Sequence, residues 1–214
     1  MKVLILYAHP EPTSFSGALK DVAVEAIRAK GHEVTVSDLY AEGFNPVAGR
    51  HDFLAAADPT RFHYQTEQGY AAKTGGFAPD IAREQARFAE ADLIIPIFPL
   101  WWSGVPAIVK GWFERVLAFG FAYVDGARFS TGFFPQKAGL IAVTTGGTAE
   151  RFSETGVYGP IEGVLAPVQK YVFGYLGMKT HTPFVAYAAP RVDDAARVAY
   201  LAEWRGQVEA ALYA

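Results

Sequence analysis

Five short apolar runs alternate with amphipathic segments along this chain, and that alternation constrains its fold more than any other feature. Each run is almost continuously hydrophobic, which is typical of a parallel strand covered by helices on both faces. Strands that alternate with helices predict a doubly wound α/β sheet. The predicted strands are Lys2–Ala8, Glu33–Asp38, Leu93–Phe98, Ala138–Thr144 and Lys179–Tyr187. The predicted helices are Ala18–Ala29, Asp80–Glu90, Pro106–Leu117, Pro160–Phe173 and Asp193–Leu212.

One stretch does not follow this alternation. Residues 40–79 have mixed polarity and match neither the helical nor the strand period. A segment of this length without regular structure is uncommon in a compact domain and usually has a function. We therefore predict a single domain over residues 1–214 with a long functional insertion at about residues 40–79.

Composition excludes several functional classes. The chain has no cysteine, which excludes disulfides, thiolate metal sites, iron–sulfur clusters and thiol nucleophiles. Its formal charge of −3 gives no basic surface for nucleic acid. The five histidines lack any metal-binding spacing, so we expect no metal site. The N-terminus has the pattern of a strand rather than an export signal, and prolines interrupt the most apolar run, so we expect a cytoplasmic protein without an integral membrane segment.

Three loops follow predicted strands at the edge where an open parallel sheet binds its ligands. The first loop places Thr13, Ser14 and Ser16 at the start of a helix, with His9 before them. Their hydroxyls and the free N–H groups of the helix suit a phosphate. An ordinary helix cap explains the same hydroxyls, and neither a Walker loop nor a GxGxxG fingerprint is present.

The second loop joins two indoles to a glycine. The segment PLWWSG, residues 99–104, precedes a helix that starts at a proline. Large aromatic side chains at the end of a strand suit stacking on a flat ring. The alternative is that both tryptophans are core or dimer-interface residues, since indoles are common in interfaces; this alternative is as good for one of the pair as stacking is, and is less favoured for both.

The third loop, TTGGT at residues 144–148, contains two glycines that allow close approach of the backbone to a ligand. Backbone N–H groups in this loop can bond the carbonyl oxygens and nitrogens of a ring. A plain turn is the alternative, because the motif is weak in isolation.

Taken together, these segments resemble the NAD(P)H:quinone oxidoreductases of the DT-diaphorase type. The resemblance rests on AHPEPTSFS, SDLYAEGFNPV, APDI, FPLWWSGVPAIVKGWFERVLAFGFAY, VTTGG and GVYGPIEGVLAPVQ, and it covers nearly the whole chain. It implies a flavodoxin-like, doubly wound, five-stranded parallel sheet with helices on both faces. It also implies a flavin-dependent enzyme that reduces quinones with NAD(P)H in two-electron, ping-pong hydride transfers. Azo and nitroaromatic compounds are further candidate acceptors, because the site requires only a planar molecule.

The resemblance further implies a homodimer with its site at the subunit interface, and it assigns residues to that site. The implied cofactor-binding residues are His9, Thr13, Ser14, Phe15, Ser16, His63, Pro99, Leu100, Trp101, Trp102, Thr145, Gly146 and Gly147. The implied substrate-binding residues are Trp102, Ser103, Phe152, Tyr158 and, from the other subunit, Tyr123 and Tyr175. The candidate catalytic groups are the backbone of Gly146 and the hydroxyl of Tyr158.

The chain departs from the family pattern in three places. Phe152 and Tyr158 stand where the family has a tyrosine and a histidine that are proposed to relay charge, and Phe152 has no proton to move. Ser103 replaces an aromatic residue, which predicts a wider or more polar slot. The chain ends soon after its last predicted helix, without the C-terminal extension of the longer family members. FAD is the expected cofactor because the TSFS loop and the long insertion match the FAD-binding branch, and FMN is the alternative.

Two other functions compete with the enzyme. Short relatives act as flavin-binding regulatory subunits of potassium-efflux systems. A flavodoxin-like electron carrier is the third candidate. Carriers usually expose the flavin edge among acidic residues, whereas this site is built from aromatic ones, which favours a substrate slot.

Overall fold

The computed structural model describes residues 1–213 and contains a parallel sheet, as predicted. The strands are β1 (Lys2–Tyr7), β2 (Glu33–Asp38), β3 (Leu93–Pro99), β4 (Ala138–Gly139), β5 (Ala142–Thr144), β6 (Lys179–Thr180) and β7 (Phe184–Ala186). Their order is β2-β1-β3-β4-β6, with β5 continuing the position of β4 and β7 that of β6. Every strand pair is parallel, so the carboxyl ends of β1, β3 and β5 meet at one edge.

The predicted count of five strands is wrong, because the last two predicted strands are each divided in two. Ala138 pairs with Lys179, whereas Ala142 pairs with Phe184, so the register shifts by one residue between the two ladders. The extra residue lies in the segment that contains Pro183, which has no N–H to donate to a ladder. The sheet therefore keeps five strand positions but seven strands.

Helices cover both faces of the sheet. They are α1 (Phe15–Ala29), α2 (Tyr64–Thr74), α3 (Pro79–Glu90), α4 (Ala107–Val116), α5 (Ile161–Val168) and α6 (Asp194–Ala211). Helices α1 and α6 pack on one face, where the fully buried indole of Trp204 donates to the carbonyl of Leu19 at 2.8 Å. Helices α3, α4 and α5 pack on the other face around Phe88, Trp112 and Leu165. No helix within residues 1–213 is both long and apolar enough to cross a membrane.

Two predicted helices differ from the observed ones in an informative way. Helix α1 begins three residues earlier than predicted, because the hydroxyl of Ser14 caps it by accepting from the N–H of Gly17. The predicted helix Pro160–Phe173 is not one regular α-helix, since α5 continues as a π-helix over Gln169–Gly174. Pro167 lies in the last turn of α5 and removes a backbone donor there, which explains the change in winding.

The long insertion is ordered and contains α2, which the sequence did not predict. A buried ion pair attaches it to α4: the guanidinium of Arg115 contacts the carboxylate of Asp52 at 2.8 and 2.9 Å. The hydroxyl of Tyr64 donates to the same carboxylate at 2.5 Å, and burial together with this bond raises the pKa of Tyr64. Gly111 is required in α4, because a Cβ there would lie 2.1 Å from the carbonyl oxygen of Pro46.

Candidate active site

Two adjoining cavities lie at the carboxyl ends of β1, β3 and β5. The α1 cavity, of about 550 Å³, is lined by His9, Ser14, Phe15, Ser16, Pro99, Leu100, Trp101, Thr144, Thr145, Gly146, Ala189, Pro190 and Arg197. The Trp102 cavity, of about 420 Å³, is lined by Leu100, Trp102, Ser103, Thr145, Gly146, Gly147, Arg151, Phe152, Tyr158 and Arg191. Both cavities share Leu100, Thr145 and Gly146, so the two form one continuous candidate site.

The α1 cavity is suited to an anion. Among residues 1–213, the N–H groups of Phe15 and Ser16 have no acceptor, and they lie at the positive end of the α1 dipole. The hydroxyl of Ser16 is hydrogen-bonded to that of Thr144 at 3.0 Å, which joins the first loop to β5. Arg197 of α6 adds a cation to the cavity, although Asp194 pairs with it at 2.7 Å.

His9 and Thr13 have different positions within the first loop. His9 lines the α1 cavity, and its ring centroid lies 6.3 Å from that of Trp101. Thr13 is not part of the cavity lining, because its hydroxyl and N–H both bind the carboxylate of Glu11, at 2.7 and 2.9 Å. These two bonds hold the pKa of Glu11 below its ordinary value. The bonds of Thr13 to Glu11 help to fix the shape of the first loop.

The second loop is a tight hairpin turn with a strained backbone. Trp101 and Gly104 exchange two backbone hydrogen bonds of 3.0 and 3.1 Å, which leaves Trp102 and Ser103 as the central residues of the turn. Their φ angles are 51° and 56°, a combination that normally requires asparagine or glycine. The indole of Trp102 is 103% exposed, so no side chain of its own chain packs on it. The turn presents a flat aromatic surface at a fixed place beside the Trp102 cavity.

We expect Ser103→Gly to stabilise the protein, because glycine adopts a positive φ without steric cost. The gain in the free energy of unfolding should be about 0.5–1 kcal/mol after the larger entropy loss of glycine is allowed for. Ser153 is a matched control, because its φ of −91° favours no glycine. The unfolding temperature should therefore be higher for Ser103→Gly and lower for Ser153→Gly than for the wild type. A lower unfolding temperature in both variants would show that the turn is not strained.

The third loop has its carbonyls bonded and its N–H groups available. The carbonyl of Gly147 accepts from Thr145 Oγ1 at 2.7 Å and from the N–H of Ala188 at 2.8 Å. The guanidinium of Arg191 donates to the carbonyl of Gly146. In contrast, the N–H groups of Gly146 and Gly147 have no acceptor within residues 1–213. The loop thus offers two backbone donors where the two cavities meet.

Phe152 and Tyr158 close one side of the Trp102 cavity. Phe152 is buried, and its ring centroid lies 5.0 Å from that of Tyr158, which is about half exposed. A Cβ on Gly147 would lie 2.9 Å from the Phe152 ring, so this glycine allows the ring to approach the loop. Tyr158 is the only one of the two with a hydroxyl, so it can give one hydrogen bond but no relay can run through Phe152.

Three of the residues that the sequence assigned to the site lie elsewhere in the chain. Tyr123 and His63 line a third cavity, of about 980 Å³, between the insertion and α4. The rings of Tyr123 and Tyr175 pack edge-on with their centroids 5.8 Å apart. His63 caps α2 by accepting from the N–H of Thr66. None of the three lines the α1 or the Trp102 cavity of its own chain.

Three arginines of the site were missed by the sequence analysis. Arg151 follows the TTGGT loop closely, and extending that loop by a few residues would have found it. Arg191 and Arg197 lie after β7, at the same edge of the sheet, and their positions depend on how β7 leads into α6. A rule that includes the end of every strand in the sheet would have marked this segment.

Comparison with known proteins gives a consistent result. A family described as having the flavodoxin-like fold matches residues 1–208. The chain is 43% identical to NAD(P)H dehydrogenase [quinone] 1 of Rattus norvegicus, over 97% of this chain and 76% of the relative. It is equally 43% identical to the ribosyldihydronicotinamide dehydrogenase [quinone] of Pongo abelii, over 97% of this chain and 90% of the relative. A Klebsiella pneumoniae structure described as a candidate quinone reductase superimposes with a TM-score of 0.95 at 36% identity, over 100% of this chain and 85% of that one.

Proposed function

This chain belongs to the flavodoxin-like NAD(P)H dehydrogenase [quinone] family, and we propose how its three loops perform the reaction of that family. It is an oxidoreductase that transfers two electrons from NAD(P)H to a quinone with the help of a flavin. The predicted fold class and the predicted reaction are thereby confirmed. The alternative of a regulatory subunit in a potassium-efflux system has no support among these relatives.

The flavin phosphate binds in the α1 cavity. The free N–H groups of Phe15 and Ser16, the His9 ring and the Arg197 guanidinium are the donors that an anionic phosphate requires. FAD is the form we propose, because the TSFS loop and the ordered insertion are those expected of the FAD-binding branch. When bound, the flavin supplies the hydride chemistry, and the protein supplies binding, orientation and electrostatics.

The residues that the two cavities share, Leu100, Thr145 and Gly146, would hold the ring of the flavin. Pro99, Leu100 and Trp101 give this region an apolar wall at the end of β3. The N–H groups of Gly146 and Gly147, which have no acceptor within residues 1–213, would bond the polar edge of the ring, and the Tyr158 hydroxyl would be a third donor beside them. Fixed donors of this kind stabilise negative charge as it develops there, without the cost of reorienting water. This set of unused donors between two cavities is the observation that carries the proposal.

The Trp102 cavity is the slot for the reductant and then for the acceptor. Trp102 offers one face of its indole to a planar molecule, and Phe152 offers a second apolar surface. Ser103 leaves this slot wider than an aromatic residue would. Because one slot serves both substrates in turn, the oxidised nicotinamide must leave before the quinone enters. Planar azo and nitroaromatic compounds satisfy the same requirement.

A homodimer completes this slot. In one chain the Trp102 indole is uncovered, while Tyr123 and Tyr175 form a separate aromatic pair in another region. Phe113 of α4, Leu117 directly after it and the 60% exposed ring of Tyr171 line the third cavity together with Tyr123. A second copy that covers this face brings its tyrosines to the Trp102 cavity of the first copy.

We expect complementation between two variants if the slot is shared in this way. Trp102→Ala and Tyr123→Ala should each lose quinone turnover as separate homodimers. When the chains are unfolded together and refolded, half of the dimers should be mixed, with one intact site each, and about a quarter of the wild-type activity should return. The mass by light scattering should be twice the 23.3 kDa of the chain. A monomeric mass, or no recovery on mixing, would contradict the dimeric site.

The reaction itself is tested by an anaerobic titration. NADPH should bleach the flavin absorbance of the purified protein, and a benzoquinone added afterwards should restore it in one two-electron step. Bleaching without restoration by any quinone would argue against the proposed acceptor, and absence of bleaching by every dihydronicotinamide would argue against the reaction.

A further inference from the structure

Two arginines line the Trp102 cavity, and the reaction as described above makes no use of their charge. Arg151 lies in the short turn Ala149–Phe152, and Arg191 lies between β7 and α6. Both side chains are exposed at the cavity. Neither guanidinium forms an ion pair with an acidic side chain of residues 1–213, whereas Arg197 in the neighbouring cavity pairs with Asp194.

Backbone hydrogen bonds hold the side chain of Arg191 and the main chain of Arg151. The guanidinium of Arg191 donates to the carbonyl of Gly146, which leaves its remaining N–H groups for a ligand. Arg151 is held by its own backbone, since its N–H donates to Thr148 at 3.1 Å and its carbonyl accepts from Tyr158 at 2.9 Å. The two cations therefore flank the glycine loop that binds the ring edge.

We propose that Arg151 and Arg191 bind the phosphates of the nicotinamide nucleotide, and this inference rests on the proposed function. A guanidinium is a planar, permanently charged group whose N–H pairs match phosphate oxygens. The reductant must place its nicotinamide against the flavin ring, beside Trp102 and Gly147. The ribose is bonded directly to the nicotinamide nitrogen, so the phosphate on its 5′ oxygen reaches the arginines at the rim of the same cavity.

The positive charge of the cavity indicates that its anionic ligand is the reductant rather than the acceptor. A simple quinone is neutral and gives these two cations no counter-charge. A phosphorylated dihydronicotinamide supplies that counter-charge in every catalytic cycle. The pair consequently makes the enzyme selective for nucleotides over dihydronicotinamide riboside, which has the same reactive ring and no phosphate.

The test compares reductants that differ only in phosphate, using reduced nicotinamide mononucleotide and dihydronicotinamide riboside with a neutral benzoquinone. In the wild type, kcat/KM should be about tenfold higher for the mononucleotide, as expected for charge-assisted hydrogen bonds at an exposed site. In the R151Q/R191Q double variant the two reductants should have equal kcat/KM, because kcat/KM falls for the mononucleotide and stays unchanged for the riboside. Arg28→Gln, which removes an exposed arginine at the end of α1, is the control for loss of a positive charge outside the cavity and should change neither rate.

A binding measurement gives a readout that is independent of turnover. Calorimetric titration of the flavin-loaded protein with NADP⁺ should show a Kd about 5- to 20-fold weaker in R151Q/R191Q, and higher ionic strength should weaken binding only in the wild type. Equal loss of the riboside rate would show that the arginines merely hold the loop and would overturn the proposal. An effect confined to a sulfonated quinone would assign the pair to the acceptor and would also overturn it. Failure of the proposed function is distinct, because no dihydronicotinamide would then reduce the flavin.

Discussion

Replacing Trp102 by alanine is expected to lower kcat/KM for a benzoquinone by about 10- to 100-fold, equivalent to about 1.4–2.8 kcal/mol, while leaving thermal unfolding unchanged. The indole is 103% exposed and contributes nothing to the packing of its own chain. Its contribution is a flat surface that stacks on the substrate. Steady-state kinetics and a thermal melt of the flavin-free chain, recorded in parallel, separate the two effects.

Tyr213→Ala is the matched control for this variant, because Tyr213 is another exposed aromatic residue, at 73% exposure, and lines neither site cavity. It should change neither kinetics nor stability. If Trp102→Ala lost stability and activity in proportion, the indole would be a structural residue and the slot would have to lie elsewhere.

Arg115→Leu is expected to lower the free energy of unfolding by about 3–5 kcal/mol. This change leaves the carboxylate of Asp52, which is 0% exposed, without its guanidinium partner, while the hydroxyl of Tyr64 and the more distant His51 ring, at 3.3 Å, remain beside it. The insertion then loses its main polar attachment to α4, together with the contact of Arg115 to Asp80 at 2.9 Å. For a chain of this size the unfolding temperature should fall by about 6–20 °C, measured by calorimetry or circular dichroism.

Two further variants identify the cause of that loss. Arg83→Leu removes an exposed arginine that pairs with Glu42 at 3.0 Å and should cost less than about 1 kcal/mol. Asp52→Leu combined with Arg115→Leu removes both buried charges and should recover part of the lost stability. If Arg115→Leu behaved like Arg83→Leu, the ion pair would not be what holds the insertion in place.

The sheet was predictable because the sequence pattern of each strand is contained within the strand itself. Each strand is a short apolar run, and β3, the most apolar, is buried along its whole length. Helix α2 was not predictable by the same reasoning, because it has no apolar stripe. The residues that it buries are Glu67, Gln68 and Ala71, and Glu67 is satisfied by accepting from the N–H of Ala57 at 2.6 Å. A helix that buries polar groups through long-range contacts leaves no periodic pattern in the sequence.

In the candidate site, too, the residues in local motifs were predictable and those placed by long-range contacts were not. Trp102 and Gly146 were found because they lie in motifs directly after strands. The positive φ angles of Trp102 and Ser103 were not predictable, since neither residue favours that conformation and the surrounding structure imposes it. Arg191 belongs to a different segment of the chain and joins the site only when β5 and β7 are paired. Sequence motifs thus identify the neutral part of the site, whereas its charged rim depends on tertiary structure.

If three loops at the carboxyl edge of the sheet jointly hold a flavin, the purified protein must carry the absorbance of that flavin. We predict bands typical of an oxidised flavin, with one molecule of FAD per chain identified by mass after its release. A preparation that remains colourless after incubation with both FAD and FMN, and retains neither, would show that these loops do not form a flavin site.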